Sequence, residues 1–370
     1  MKKIEEVYNR LKKNAATILG YPVARDFSYQ QFAPFLDLCI NNVGDPETPS
    51  TSAMDTKDIE RECVTFFAEM LSSNMQNVWG YITNGGTEGN LYGLYLARES
   101  FPNAIVYYSE ATHYSVYKNL HLLNINNIVI KSQDNGEMDY NDLEQVLMLH
   151  RHRPAIFFLN IGTTMTEAID NLDEIKRIIG KFAIKDYYIH CDAAFLGLIA
   201  PFLEPKPKFD FAEGVDSIAI SGHKFIGSPI PCGVVLAKRK HRNRIANSVS
   251  YIGAMDTTIT GSRNGLTPLF MWSFIQKKGI EGLKNRIKNS LEMASYTTKK
   301  LNELGVNAWR NKNALTVVFN KPSDKLCKQY QLASEKEIAH IICAPGVKKE
   351  QINLFFDDLK AEMSIPEIVS

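Results

Sequence analysis

Short apolar runs recur along this chain at positions 104–108, 127–131, 155–160, 187–191, 217–220 and 233–236. Runs this short, without polar alternation, suit strands buried on both faces rather than half-exposed ones. Most are separated by stretches with helical spacing, and such alternation predicts α/β layers around a mainly parallel sheet. After Asp55 and Thr56 the spacing predicts a helix with Ile59, Cys63, Phe66 and Met70 inward and Asp58, Glu60, Arg61 and Glu69 mostly outward. A second amphipathic segment follows Gly89, carrying Leu91, Leu94 and Tyr95. Past residue 264 the texture changes to helices at 269–287 and 291–304, strands at 314–320 and 338–343, and a last helix from Lys348. The expected organisation is an N-terminal segment over 1–50, a large α/β domain over 51–263 and a smaller α+β domain over 264–370.

Lys and Arg total 42 against 41 Asp and Glu, so no long-range field gathers nucleic acid or an anionic membrane surface. A small neutral or zwitterionic substrate fits this balance better. No run of about 18 apolar residues suggests a membrane span, and Glu5 and Glu6 interrupt the start, so a soluble, cytoplasmic protein is expected. The cysteines at 39, 63, 191, 232, 327 and 343 form no C-x-x-C pair and sit with no clustered histidine, so neither a zinc site nor another metal is expected.

Chemistry concentrates where predicted strands end. Lys224, in Ser221-Gly-His223-Lys224, follows the 217–220 strand. Desolvation and a neighbouring cation there would lower an amine's pKa, as bond formation with a carbonyl requires, although a lone lysine in a loop is ordinarily a surface charge. Asp192, ahead of Ala193-Ala194, ends another strand. A carboxylate so placed can hold a protonated ring nitrogen while small Ala194 admits a flat ring, and a helix N-cap is the plainer alternative. Gly85, Gly86 and Thr87 lie in a turn between a strand at 79–82 and a helix, where free amides can bind phosphate or simply form a tight turn. The spacing is that of neither a dinucleotide fingerprint nor a P-loop.

His113 follows the 104–108 strand, placed to stack on a ring or exchange a proton, or merely to be solvated. Thr163, in Asn160-Ile-Gly-Thr-Thr164, offers a hydroxyl to a ligand or to its own turn. Ser262 and Arg263 occupy a glycine-flanked loop that could meet an anion or link domains. A phosphate turn, a stacking histidine, a strand-end carboxylate and a strand-end lysine together suit pyridoxal 5'-phosphate, gathered at the carboxyl ends of an open sheet.

The series TNGGTEGN, THYS, NIGTT, HCDAA, SGHKFIGSPIPCG and GSRNG resembles the group II pyridoxal-phosphate decarboxylases, and within them the bacterial histidine and plant serine decarboxylases. The resemblance runs from Gly20 to the C-terminal strand and helix. It implies an aspartate aminotransferase-like, fold type I architecture. Lys224 would hold the cofactor covalently, Asp192 pair with its ring nitrogen, and His113 contact ring and substrate. Gly85, Gly86, Thr87, Ser221 and His223 would surround the phosphate. It also implies a homodimer with interfacial sites, in which Ser262 would serve the partner's site. The expected reaction is decarboxylation of a small L-amino acid, L-histidine to histamine first and L-serine to ethanolamine as the alternative. Transamination and a non-catalytic binding role are the more distant readings. The chain departs from both groups at Glu47–Ala53, where they carry an Asn-Tyr pair, and at Leu266, where they carry histidine; Tyr81 and Gln331 lie in stretches similar to the serine enzymes, 307–313 in one similar to the histidine enzymes.

Overall fold

The structure, a computed structural model, describes residues 1–49, 51–249 and 253–364; Ser50 and the last six residues of the expected small domain lie outside it. Its contacts form two compact units. The larger runs from Phe27 to Thr164 and from Ala168 to Lys284; the smaller joins Met1–Asp26, Met165–Glu167 and the chain from Asn285 onward.

The larger unit is built on a seven-stranded sheet: β1 (Val78–Thr83), β2 (Ile105–Ser109), β3 (Asn127–Ile130), β4 (Ala155–Asn160), β5 (Tyr187–Asp192), β6 (Ser217–Ser221) and β7 (Gly233–Lys238), in the order β1-β7-β6-β5-β4-β2-β3. All pairs from β3 to β6 are parallel; β7 alone runs against its neighbours. Strands β1, β2, β4 and β6 are buried along their whole length, which explains their uninterrupted apolar sequences. The register places the functional edge. Thr83 and Ser221 both pair with Gly233, and Asn160 pairs with Asp192, so the ends of β1, β6, β5 and β4 lie side by side.

Helix α1 (Lys57–Met70) forms where expected, but its buried face is not the expected one. Glu60 is fully buried, whereas Ile59, Phe66 and Met70 are only partly so. Glu60 turns inward because its carboxylate accepts the Asn42 amide, the Ile82 backbone N–H and the Arg263 guanidinium. The same ties carry the boundaries expected at 50 and 263 into the interior of the larger unit: Asn42 N–H donates to Arg263 O (3.0 Å) and Thr56 Oγ1 to Gly265 O (2.8 Å). Helix α2 (Gly86–Ser100) begins four residues earlier than the segment expected after Gly89.

The smaller unit carries a four-stranded antiparallel sheet, β8 (Ala308–Trp309), β9 (Thr316–Asn320), β10 (Ala333–Glu335) and β11 (Ile338–Ile342), in the order β8-β9-β11-β10. Val317, Phe319 and Ile341 pack with Phe355 and Leu359 of the helix Lys349–Met363, and Leu19 joins that core. The break expected near residue 289 is absent. The helix Leu266–Glu303 is instead interrupted at Gly279, whose φ of 54° is open to glycine at little cost.

Candidate active site

The β1–α2 turn is tied down by its own side chains. Glu88 accepts the Asn84 backbone N–H (2.8 Å), the Asn84 side-chain amide (2.7 Å) and the Tyr81 hydroxyl (2.8 Å). Gly85 caps α2 at φ 140°, a conformation that favours glycine. The helical ladder starts with Gly89 N–H on Gly85 O, so the amides of Gly86, Thr87 and Glu88 have no acceptor within the helix. They point along the positive end of the helix dipole, a natural anion seat.

Two other strand ends meet this turn, those of β6 and β5. A Cβ on Gly86 would lie 2.7 Å from Ser221 Oγ and 3.4 Å from Ala194 Cβ, and one on Gly85 would lie 3.7 Å from His223 Cε1. Ser221 N–H in turn donates to Ala194 O (3.0 Å). The Cys232 carbonyl lies 2.9 Å from His223 Nδ1 and can only accept, so the ring's first proton sits on Nδ1. Burial pushes the His223 pKa down; the Cys232 bond opposes this, and the charge of Lys224 adds to it.

Asp192 ends β5 with both oxygens engaged, Oδ1 by the Ala194 N–H (3.0 Å) and Oδ2 by Asn90 Nδ2 (2.7 Å). Lys224 is enclosed by protein yet remains partly accessible. Burial lowers its pKa and Asp192 opposes that shift. His113 Nδ1 takes the Ser115 hydroxyl (2.8 Å) and lies 3.3 Å from the Ser115 N–H, which leaves the neutral ring's proton on Nε2. Burial lowers the pKa of His113 as well; Asp192 raises it, and Lys224 and Lys118 lower it. Lys224, Asp192 and His113 thus lie within one electrostatic neighbourhood.

Two expected residues make other contacts. Thr163 Oγ1 accepts the Ala168 N–H (2.9 Å), closing its own loop, and Ser262 Oγ takes Asn41 Nδ2 (3.1 Å). Arg263 is not presented to an anion from outside. It is buried against Glu60, donates to Gly44 O (3.0 Å) and lies 5.4 Å from the centre of the Tyr81 ring. Asn90 is the site residue that the sequence reading missed. Its position one helical turn after Gly86 puts it on the same face of α2, which is the signal that could have found it.

Residues 40–320 match the pyridoxal-dependent decarboxylase conserved domain. The chain belongs to the pyridoxal-dependent decarboxylases. This decarboxylase is 45% identical to the histidine decarboxylase of Mesorhizobium japonicum over 97% of each chain, and 44% identical to that of Morganella morganii over 98% of this chain and 97% of the relative. Its fold matches the L-methionine decarboxylase of Streptomyces sp. 590 with a TM-score of 0.90 at 24% identity, covering 97% of this chain and 94% of the other. The decarboxylase therefore has the aspartate aminotransferase-like fold, uses pyridoxal phosphate and removes the carboxyl group of a small amino acid. Its residues fit that cofactor: free helix-start amides at a glycine pair, one in a glycine-favouring backbone conformation and one where a side chain would crowd Ser221, an enclosed amine, and a buried carboxylate whose oxygens are both fixed. Among the described residues no helix is long and apolar enough to cross a membrane.

Proposed function

We propose that this decarboxylase converts L-histidine to histamine and carbon dioxide. The observation that carries the reading is the 44–45% identity, over 97–98% of this chain, to relatives that are histidine decarboxylases. The stretches similar to the serine enzymes lend the alternative no ligand contact: the Tyr81 hydroxyl is held by Glu88, and Gln331 Nε2 donates to Asn14 O.

In this reading Lys224 would hold the cofactor through Nζ, and burial lowers the pKa of that amine against the opposing charge of Asp192, the direction that bond formation with a carbonyl requires. Bound pyridoxal phosphate supplies the sink for the electron pair left on Cα when carbon dioxide departs. Asp192 keeps the proton on the ring nitrogen. Gly85, Gly86, Thr87, Ser221 and His223 bind the phosphate, and Ala194 and Thr163 line the ring. His113, with its proton on Nε2, contacts ring and substrate and can return a proton to Cα. Arg263, sequestered by Glu60, is no carboxylate clamp, and a poorly solvated carboxylate favours its loss over transamination.

The working unit is a cytoplasmic homodimer in which Ser262 serves the partner's site. The helix Lys2–Ala15 supports this: it buries no residue, and Ile4, Tyr8 and Leu11 are 69%, 62% and 57% exposed along one stripe. Sedimentation of the purified protein should give twice the mass of one chain, and deletion of residues 2–15 should reduce it to one. The substrate is tested by supplying cofactor-loaded protein with each of the twenty L-amino acids, ornithine and diaminobutyrate, and measuring carbon dioxide and amine. Histamine from histidine is the expected product. Ethanolamine from serine with no histamine would reassign the substrate, and a keto acid without carbon dioxide would overturn the reaction for this chain.

A further inference from the structure

Asp192 is the near end of a chain of buried polar groups that the mechanism above leaves unused. Asn90 Nδ2 lies 2.7 Å from Asp192 Oδ2, and Asn90 Oδ1 lies 3.0 Å from His190 Nε2. His190 Nδ1 lies 2.7 Å from Ser217 Oγ, which the Tyr188 hydroxyl meets at 2.9 Å. Tyr188, His190 and Ser217 are fully buried, and Asn90 is 2% exposed.

The proton positions follow from the Asp192 end. A carboxylate oxygen only accepts, so Asn90 must turn its NH2 toward it and its oxygen toward His190. That oxygen also only accepts, so His190 must carry its proton on Nε2. The bare Nδ1 then takes the Ser217 O–H, and the Ser217 oxygen takes the Tyr188 O–H. Every donor points toward Asp192, and successive bonds in such a chain polarise one another.

We propose that Asn90, His190 and Ser217 form a positioning relay that orients Asp192 and maintains its negative charge toward the cofactor's ring nitrogen. The proposal rests on the role given above to Asp192. Burial pushes the His190 pKa down to about 3, which keeps the imidazole neutral and the direction of the relay fixed. The Phe158 ring lies 5.0 Å from that of His190; beyond Ser217 and Tyr188 stand His241, its ring 4.7 Å from that of Tyr188, and the Asp216 that His241 meets at 3.0 Å. Gly93, three residues after Asn90 on α2, is the clearance that admits the imidazole: a Cβ there would lie 2.2 Å from His190 Nδ1.

A satisfied core histidine would affect stability alone, so the test reads the cofactor. In cofactor-loaded His190→Leu, the Asn90 oxygen loses its donor, and the amide that holds Asp192 Oδ2 is no longer fixed from behind. The pH midpoint of the cofactor's visible band should shift by about one unit, a ~10-fold change in the proton equilibrium. In His190→Gln, whose amide N–H can replace Nε2–H, the midpoint should stay near that of the unmodified protein. Gly93→Ala, which leaves every relay residue in place but displaces the ring, should follow His190→Leu. The cofactor-free protein with 15N-labelled histidine gives a readout that needs neither cofactor nor variant: His190 should be neutral, protonated on Nε2 and constant from pH 5 to 8.

An unchanged midpoint in folded His190→Leu, or a proton on Nδ1 in the labelled protein, overturns the relay. A different result bears on the reading beneath it: if Asp192→Asn keeps the unmodified protein's midpoint and cofactor affinity, Asp192 is not the ring's partner.

Discussion

Gly86 and Ser221, 135 positions apart in the chain, approach so closely that a methyl group on Gly86 would lie 2.7 Å from the Ser221 hydroxyl. Serine can rotate away from such a contact at little cost to the fold, but its hydroxyl then leaves the phosphate cradle. Gly86→Ala should therefore fold with a melting temperature close to the parent's while binding pyridoxal phosphate ~10-fold or more weakly, the equivalent of about one charge-assisted hydrogen bond. Titrating the cofactor against the cofactor-free protein measures this. Unchanged affinity would remove Ser221 from the cradle.

Lys224 interacts electrostatically with both Asp192 and His113. Lys224→Ala should abolish the visible band of the loaded enzyme and slow carbon dioxide release by about three orders of magnitude or more, since the covalent route is lost. Single-turnover assays with far-ultraviolet circular dichroism separate this from misfolding. A variant that keeps the band would place the attachment elsewhere.

The Glu60–Arg263 pair is a structural element rather than a substrate clamp. Removing one partner strands a buried charge, so Arg263→Ala should cost roughly 3–5 kcal/mol in denaturant unfolding. In whatever fraction stays folded, KM for the amino acid should remain within about twofold of the parent, because less than about 0.5 kcal/mol of substrate binding depends on that guanidinium. A large rise in KM with unaltered stability would point to direct contact with the substrate.

Glu167, in the smaller unit, should make stability depend on pH. Burial pushes its carboxyl up to about 7, against the bonds it accepts from Thr316 and the Leu315 N–H. The folded value exceeds the ordinary 4.5, so between pH 4.5 and 7 the folded protein keeps a proton that the unfolded chain has lost. Stability is then fully present below that window and falls as pH rises through it, by about 3 kcal/mol in all. Melting temperatures at pH 5 and 8 should show the decline, and Glu167→Gln should flatten it.

The strands were legible because a strand buried on both faces leaves an unbroken apolar run, and the register then brings their polar ends together. That Lys224, Asp192, His113 and the glycine pair would gather at one edge of the sheet could be expected for that reason. Glu60 could not be. On a helical wheel it belongs with the outward charges, and what turns it inward lies far off in the chain: Asn42, the Ile82 N–H and Arg263, the last 203 positions away. Asn90 and His190 escaped for a related reason: neither follows a strand, and their roles depend on one another's atoms. The helix break at Gly279 was equally hidden, since an isolated glycine in a helical pattern does not by itself say whether φ is positive.

The pairing of both Thr83 and Ser221 with Gly233 has a consequence for how the enzyme matures. Strand β7 is the last of the sheet to be synthesised, yet it is inserted between β1 and β6, so these two strands share no partner within the sheet until it arrives. A nascent chain that ends before Gly233 holds all the residues proposed for the cofactor except Ser262, and lacks the strand that joins β1 to β6. A ligand that binds the completed sheet and not the truncated one draws the folding equilibrium toward the full strand order.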